Sequence, residues 1–184
     1  MTVVSYGESN PVVSGTTSQA HSQNRRVVAI ANQHIISRAL DLIPPTDYYL
    51  VDATGSMAGD KWQAVINHKY TRSPTGEDPE IYAFNSCMPL RPLKYKNEIG
   101  PDCETPLWDM TEELLSKMSV GQTLTILSDG KDNQSRNYTP ASLTELAKTR
   151  GVKVSTIGIG VDEVTRQNLR DLATQTGGSF YLSK

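Results

Sequence analysis

The sequence predicts an α/β protein, a doubly wound and mostly parallel sheet with one antiparallel edge strand and helices on both faces. Three observations predict it. Short apolar segments alternate with amphipathic helical stretches from residue 47 onward, and no internal repeat interrupts them. Two Thr-Pro pairs, Thr105-Pro106 and Thr139-Pro140, mark helix starts, with threonine as cap and proline at the first helical position. The segment Leu90 to Tyr95 carries Pro92, which suits an edge strand. An antiparallel edge on a parallel sheet is common in this class.

Taken in order, residues 1–24 are rich in Ser, Thr, Asn, Gln and Gly and predict a flexible N-terminal arm. Residues 25–45 hold an extra helix. Val28, Ala31, Ile35 and Ala39 recur at helical spacing, Ile36, Leu40 and Ile43 widen the stripe, and Pro44-Pro45 stops it. That stripe is expected to pack on the chain's own domain, with a partner as the alternative. The main domain spans 46–184. It opens with a strand at 47–53, then a helix from Asp60 to Tyr70 with Trp62, Val65, Ile66 and Tyr70 on one face. Residues 71–79 form a surface loop. Glu80 to Ser86 is a strand, and Leu90 to Tyr95 pairs back on it through Cys87-Met88-Pro89. A polar loop at 96–104 leads to a helix that buries Leu107, Met110, Leu114 and Met118. Gln122 to Ser128 is a strand, and the helix begun at Thr139-Pro140 ends at Gly151. Val152 to Ile159 is a strand, Glu163 to Thr176 a helix capped by Asp162, and Ser179 to Leu182 a last strand.

Composition narrows the functions. A chain of 184 residues can bury a real core. Eighteen basic and 20 acidic residues, net −2, give no reason to expect a nucleic-acid groove or a polybasic membrane patch. No apolar run approaches the ~20 residues that span a bilayer. The first residues show neither a basic nor an apolar leader region, so a cytoplasmic protein is expected, or one incorporated into a larger particle. Cys87 and Cys103 form no C-x-x-C pair and are expected as free thiols, with a single disulfide as the alternative. His21, His34 and His68 are scattered without zinc spacing.

In an α/β sheet of this kind, ligands bind beyond the carboxyl ends of the strands, at the switch point of strand order. Two strand ends carry a carboxylate followed by a glycine-bearing turn. One is Asp52-Ala53-Thr54-Gly55-Ser56, the other Asp129-Gly130. Thr105 joins them at a helix start. Asp52, Thr54, Ser56, Thr105 and Asp129 all offer oxygen, which suits Mg²⁺, with Mn²⁺ or Ca²⁺ as alternatives, and disfavours zinc, copper or iron. Read separately, the same residues can serve as helix caps and turn formers. Asp102 and Glu104 flank Thr105 and read as solvated loop charges.

These motifs, D-A-T-G-S at 52–56, the threonine of E-T-P-L at 104–107 and S-D-G at 128–130, resemble the three parts of a von Willebrand factor type A (VWA) domain. The later run V-K-V-S-T-I-G-I-G, a helix, and A-T-Q-T-G-G-S-F-Y is similar to the end of that Rossmann-like fold. The resemblance covers about residues 46–184. It implies a metal-ion-dependent adhesion site (MIDAS). Thr54 and Ser56 would touch the ion directly. Asp52, Thr105 and Asp129 would do so directly or through water. Thr54 stands where serine is usual and keeps the oxygen. The resemblance further implies a non-enzymatic adhesion or scaffold module whose protein partner completes the metal shell with an acidic side chain. Met57, Trp108, Lys131, Asp132, Asn133 and Tyr138 flank the ligand loops as candidates for the partner-binding rim. Trp108, one turn into its helix, reads equally as core.

The same residues admit rival readings. Asp52 at a strand end faintly resembles a Mg²⁺-dependent phosphohydrolase, but Thr54 stands where those enzymes place a second carboxylate. Ser56 lacks a G-x-S-x-G elbow and no histidine follows His68. Gly55 to Lys61 is a near miss to a phosphate loop, because Trp62 follows the lysine. A structural subunit that assembles through the arm and extra helix, with the ion site stabilising or vestigial, is the third reading.

Overall fold

A computed structural model describes residue 18 and residues 34–70, 73–95 and 99–183. The arm expected at 1–24, residue 18 aside, and the first part of the extra helix, 25–33, lie outside the described residues. So do parts of the two surface loops, at 71–72 and 96–98.

Helix α1 covers residues 34–41 where described. The sheet follows with β1 (Tyr48–Asp52), β2 (Glu80–Asn85), β3 (Met88–Pro92), β4 (Thr123–Ser128), β5 (Lys153–Ile159) and β6 (Phe180–Ser183). Between them lie α2 (Asp60–Asn67), α3 (Leu107–Lys117), α4 (Pro140–Thr149) and α5 (Glu163–Gln175). The six strands are ordered β3-β2-β1-β4-β5-β6. All pairs are parallel except β2 with β3. This is the doubly wound α/β sheet with one antiparallel edge that the alternating pattern predicts.

Alternation along β1 divides the core. Tyr49 and Val51 face one side, with Ile36, Leu40 and Ile43 from the α1 segment and Trp62 and Val65 from α2. Leu50 faces the other, with Leu114 and Leu115 of α3, Leu143 of α4, and Leu169 and Leu172 of α5. Three helices thus cover one face, and α2 shares the other with α1. Ile36 and Leu40 are at most 3 % exposed, so the α1 stripe is used within the chain. Tyr181 of β6 fastens the end of this segment by donating to the Leu42 carbonyl at 2.9 Å.

Several boundaries differ from expectation for local reasons. The second edge strand begins at Met88, because Ser86-Cys87 alone makes the turn. The Asn85 side chain holds that turn. Its Oδ1 accepts from Cys87 N at 2.9 Å and its Nδ2 donates to the Ala53 carbonyl at 3.1 Å. Helix α2 ends at Asn67, and Tyr70 turns back to donate to the Val65 carbonyl. Thr139 and Asp162 cap α4 and α5 as predicted. Thr105 does not cap α3. Pro106 occupies the cap, and Ser135 Oγ, from the loop after β4, accepts from Trp108 N and Asp109 N at 3.0 Å each. The Thr105 hydroxyl is thereby released from capping.

The cysteines correct the free-thiol expectation. Cys87 and Cys103 form a disulfide, with Cα atoms 6.0 Å apart across a separation of 16 residues. No short motif announces it. The Cys103 loop folds back over the end of β1, which brings the two cysteines together. Asp102 N donates to the Ala53 carbonyl at 3.0 Å and Gly55 N to the Cys103 carbonyl at 3.3 Å.

Candidate metal centre

The strand order places β1 beside β4, and the chain leaves these two in opposite directions. Their carboxyl ends therefore form the switch point, and the loops after Asp52 and Ser128 diverge around a shared cleft. Thr105 enters from the third loop. Its carbonyl accepts from Asn133 N at 3.1 Å, and its N–H donates to Asn133 Oδ1 at 2.9 Å. Asn133 thus clamps the Thr105 loop to the Asp129 loop.

Asp52 is fully buried. Its Oδ1 accepts from Thr54 N at 2.9 Å, and its Oδ2 accepts from Ser128 Oγ at 2.5 Å. Burial pushes its carboxyl pKa up, the Ser128 and Thr54 hydrogen bonds oppose that rise, and the nearby Asp129 adds to it. Thr54 Oγ1 and Ser56 Oγ lie 3.2 Å apart and share a hydrogen bond, and Ser56 Oγ donates to Asp129 Oδ1 at 2.7 Å. The other oxygen of Asp129 pairs with the Lys61 ammonium, which also donates to the Ser56 carbonyl at 3.1 Å.

Gly130 reveals the convergence. A Cβ built there would stand 3.2 Å from Thr105 Oγ1, 3.7 Å from Ser56 Oγ and 3.8 Å from Asp52 Oδ2. Oxygens of two loops thus face one small space beside a third loop, left open because residue 130 has no side chain. Among the described residues no cluster of three or more His, Cys, Asp and Glu side chains occurs, so hydroxyls must complete any shell here. Two carboxylates with three hydroxyls fit a small, hard divalent cation.

The rim divides. Met57 is fully buried and Trp108 is 5 % exposed. Both are core side chains and offer a partner no surface, which corrects their place among the rim candidates. Lys131 and Asn133 are exposed, and Asp132 and Tyr138 half-buried. Asp132 and Asn133 already have tasks, since Asp132 Oδ1 accepts from Ser135 Oγ at 2.6 Å and Asn133 clamps Thr105. Asp102 and Glu104 are exposed, as loop charges should be.

Sequence reasoning passed over Lys61, Ser128 and Ser135. Ser128 stood inside the S-D-G motif, and its position before the carboxylate was the available signal. Lys61 was visible only as a failed phosphate-loop lysine. His68 packs edge-on against Tyr70, with ring centroids 4.8 Å apart, and lines a pocket with Glu80 where β2 begins. That is the opposite end of the strands from Asp52.

No family model matches the chain, and no curated protein matches it. Solved structures do. Proximal thread matrix protein 1 from the mussel byssus, in a second crystal form, superposes with a TM-score of 0.56 at 17 % identity, over 93 % of this chain and 49 % of that one. The chain has a von Willebrand factor type A fold. The same mussel protein with a zinc-occupied MIDAS motif matches with a TM-score of 0.53 at 15 % identity, over the same 93 % and 49 %. The VWA2 paralog of ArnB from Sulfolobus acidocaldarius matches at 20 % identity and a TM-score of 0.49, over 76 % of this chain and 42 % of that one. This VWA-fold chain therefore spans about half the length of the mussel protein. Among its described residues no helix is long and apolar enough to cross a membrane.

Proposed function

We propose that this VWA-fold chain is a divalent-cation-dependent protein-binding module whose site is formed by Asp52, Thr54, Ser56, Thr105 and Asp129. The observation that carries the reading is the convergence of the Thr105, Ser56 and Asp52 oxygens on the space beside Gly130. The all-oxygen donor set favours Mg²⁺, with Mn²⁺ and Ca²⁺ as substitutes. The zinc-occupied motif of the mussel protein supports a divalent ion in this part of the fold.

A bound ion supplies a coordination position at which an acidic side chain of a partner protein can complete the shell. The chain's own residues prepare for that. Thr54, Ser56 and Thr105 contribute neutral oxygens and leave the ion's charge in place. Asp52 is fixed by Thr54 N and Ser128 Oγ, so its oxygens are held in position. Ser56 Oγ can donate to Asp129 and still present a lone pair to the cleft. Exposed Ser56 and Gly55 leave the cleft reachable from solvent.

The site is read as non-catalytic. Of the described histidines, His68 lies at the other end of the strands and His34 on α1, so neither serves Ser56 as a base. The burial of the α1 stripe weighs against assembly through that face. The Cys87–Cys103 disulfide favours an oxidising compartment over the cytoplasm.

Titration of Mg²⁺ or Mn²⁺ tests the reading, with thermal unfolding and capture on an immobilised acidic peptide as readouts. The ion raises the melting temperature of wild type and permits capture, and both effects vanish with chelator and in Ser56→Ala. Equal behaviour of wild type and Ser56→Ala would overturn the reading.

A further inference from the structure

Lys61 sits in the first turn of α2, where the helix dipole disfavours a cation. Its position needs a local reason, and the candidate site supplies one. The ammonium donates to the Ser56 carbonyl at 3.1 Å and pairs with Asp129 Oδ2. The Lys61 side chain is 32 % exposed, while that of Asp129 is 0 % exposed. The two oxygens of Asp129 are therefore divided. Oδ1 faces the hydroxyl cluster through Ser56 Oγ, and Oδ2 faces Lys61.

We propose that Lys61 sets the net charge of the site, lowering its affinity for the cation and raising the affinity of the loaded site for a partner's carboxylate. The inference rests on the cation reading above. The charges are counted from the ligands. Asp52 and Asp129 bring two negative charges, the three hydroxyls none, and Lys61 one positive charge. A divalent ion added to the carboxylates alone gives a neutral site. With Lys61 beside them the loaded site carries one net positive charge. A positive cleft on an otherwise weakly acidic chain draws an anion. Asp102 and Glu104 in the next loop are exposed, so solvent screens them more than it screens the pair inside the cleft. Lys61 leaves Asp129 Oδ1 and the hydroxyls available, so it acts as a positioning and charge-setting residue and not as a ligand.

The magnitudes follow from Coulomb's law. Across ~6 Å at a water-like dielectric, one unit charge changes the binding of a divalent ion by about tenfold and of a carboxylate by about threefold. The test uses Mn²⁺ alone as the first probe and acetate on the Mn²⁺-loaded protein as the second. Calorimetry reads the metal, and water-proton relaxation reads displacement of metal-bound water by acetate. Lys61→Met and Lys61→Gln remove the charge, and Lys61→Arg keeps it. Circular dichroism checks that each variant folds.

Both neutral variants should bind Mn²⁺ about tenfold more tightly and acetate about threefold more weakly, with Lys61→Arg close to wild type. These opposite signs separate a charge effect from general damage, which would weaken both. Unchanged or weaker Mn²⁺ binding in the neutral variants, or unchanged acetate binding, overturns the proposal while the cation site stands. Failure of wild type itself to bind Mn²⁺ overturns the cation reading and this inference with it.

Discussion

Gly130→Ala separates the candidate site from the fold that carries it. Gly130 is not among the glycines with positive φ, so its backbone accepts alanine. The cost is local. The new methyl lies 3.2 Å from Thr105 Oγ1, close enough that the threonine must yield slightly, and at ordinary contact from Ser56 Oγ and Asp52 Oδ2. Relief of that crowding and the reduced freedom of the unfolded chain nearly offset each other, so stability should change by less than about 1 kcal/mol. Binding should change far more. An ion that touches these oxygens at about 2.1 Å must lie in the space they share, and the methyl intrudes there. Mn²⁺ affinity should fall by more than tenfold, about 1.4 kcal/mol or greater. Calorimetric titration with Mn²⁺, run beside thermal unfolding without metal, measures both quantities on one preparation. Mn²⁺ affinity within about twofold of wild type, in a folded variant, would show that no ion uses this space.

Other outcomes follow from the same geometry. Replacing Cys87 and Cys103 by serine opens a loop of 16 residues and should cost about 3 kcal/mol in urea unfolding, whereas a loss below about 1 kcal/mol would deny the cross-link a role. Burial lowers the His68 pKa below its ordinary 6.5, with Asp41 opposing. The folded chain holds it neutral while the unfolded chain takes up a proton, so stability is lost as pH falls through 6.5, and His68→Gln should flatten that decline in a pH series of thermal melts. A Cβ at Gly178 would lie 2.0 Å from the Val154 carbonyl, against backbone that cannot move aside. Gly178→Ala should therefore destabilise by upwards of about 3 kcal/mol, and a native-like melting temperature would contradict the packing of β6 on β5.

The sheet was readable because its signals are local. The apolar run of the 47–53 strand, the threonine-proline helix starts and the demotion by Pro92 each act within a few residues. The switch point followed, since strand ends bearing Asp52 and Asp129 can meet only there. What escaped the sequence was non-local. The disulfide depends on a loop folding back over Ala53. Thr105 lost its capping task to Ser135, thirty residues on. Trp108 and Met57 turned inward because the helix and turn that carry them pack against the sheet, a rotation that a short polar motif does not specify. Lys61 reaches Asp129 only through tertiary approach, against its helix dipole.

One divalent ion is expected among the oxygens of the Asp52, Thr105 and Asp129 loops. Anomalous scattering from crystals soaked in Mn²⁺ tests it directly. A single strong peak is expected in the cleft beside Gly130, bonded to the Thr54 and Ser56 hydroxyls and reached by Asp52, Thr105 and Asp129 directly or through water. A peak elsewhere, or an empty cleft at saturating Mn²⁺, would contradict it.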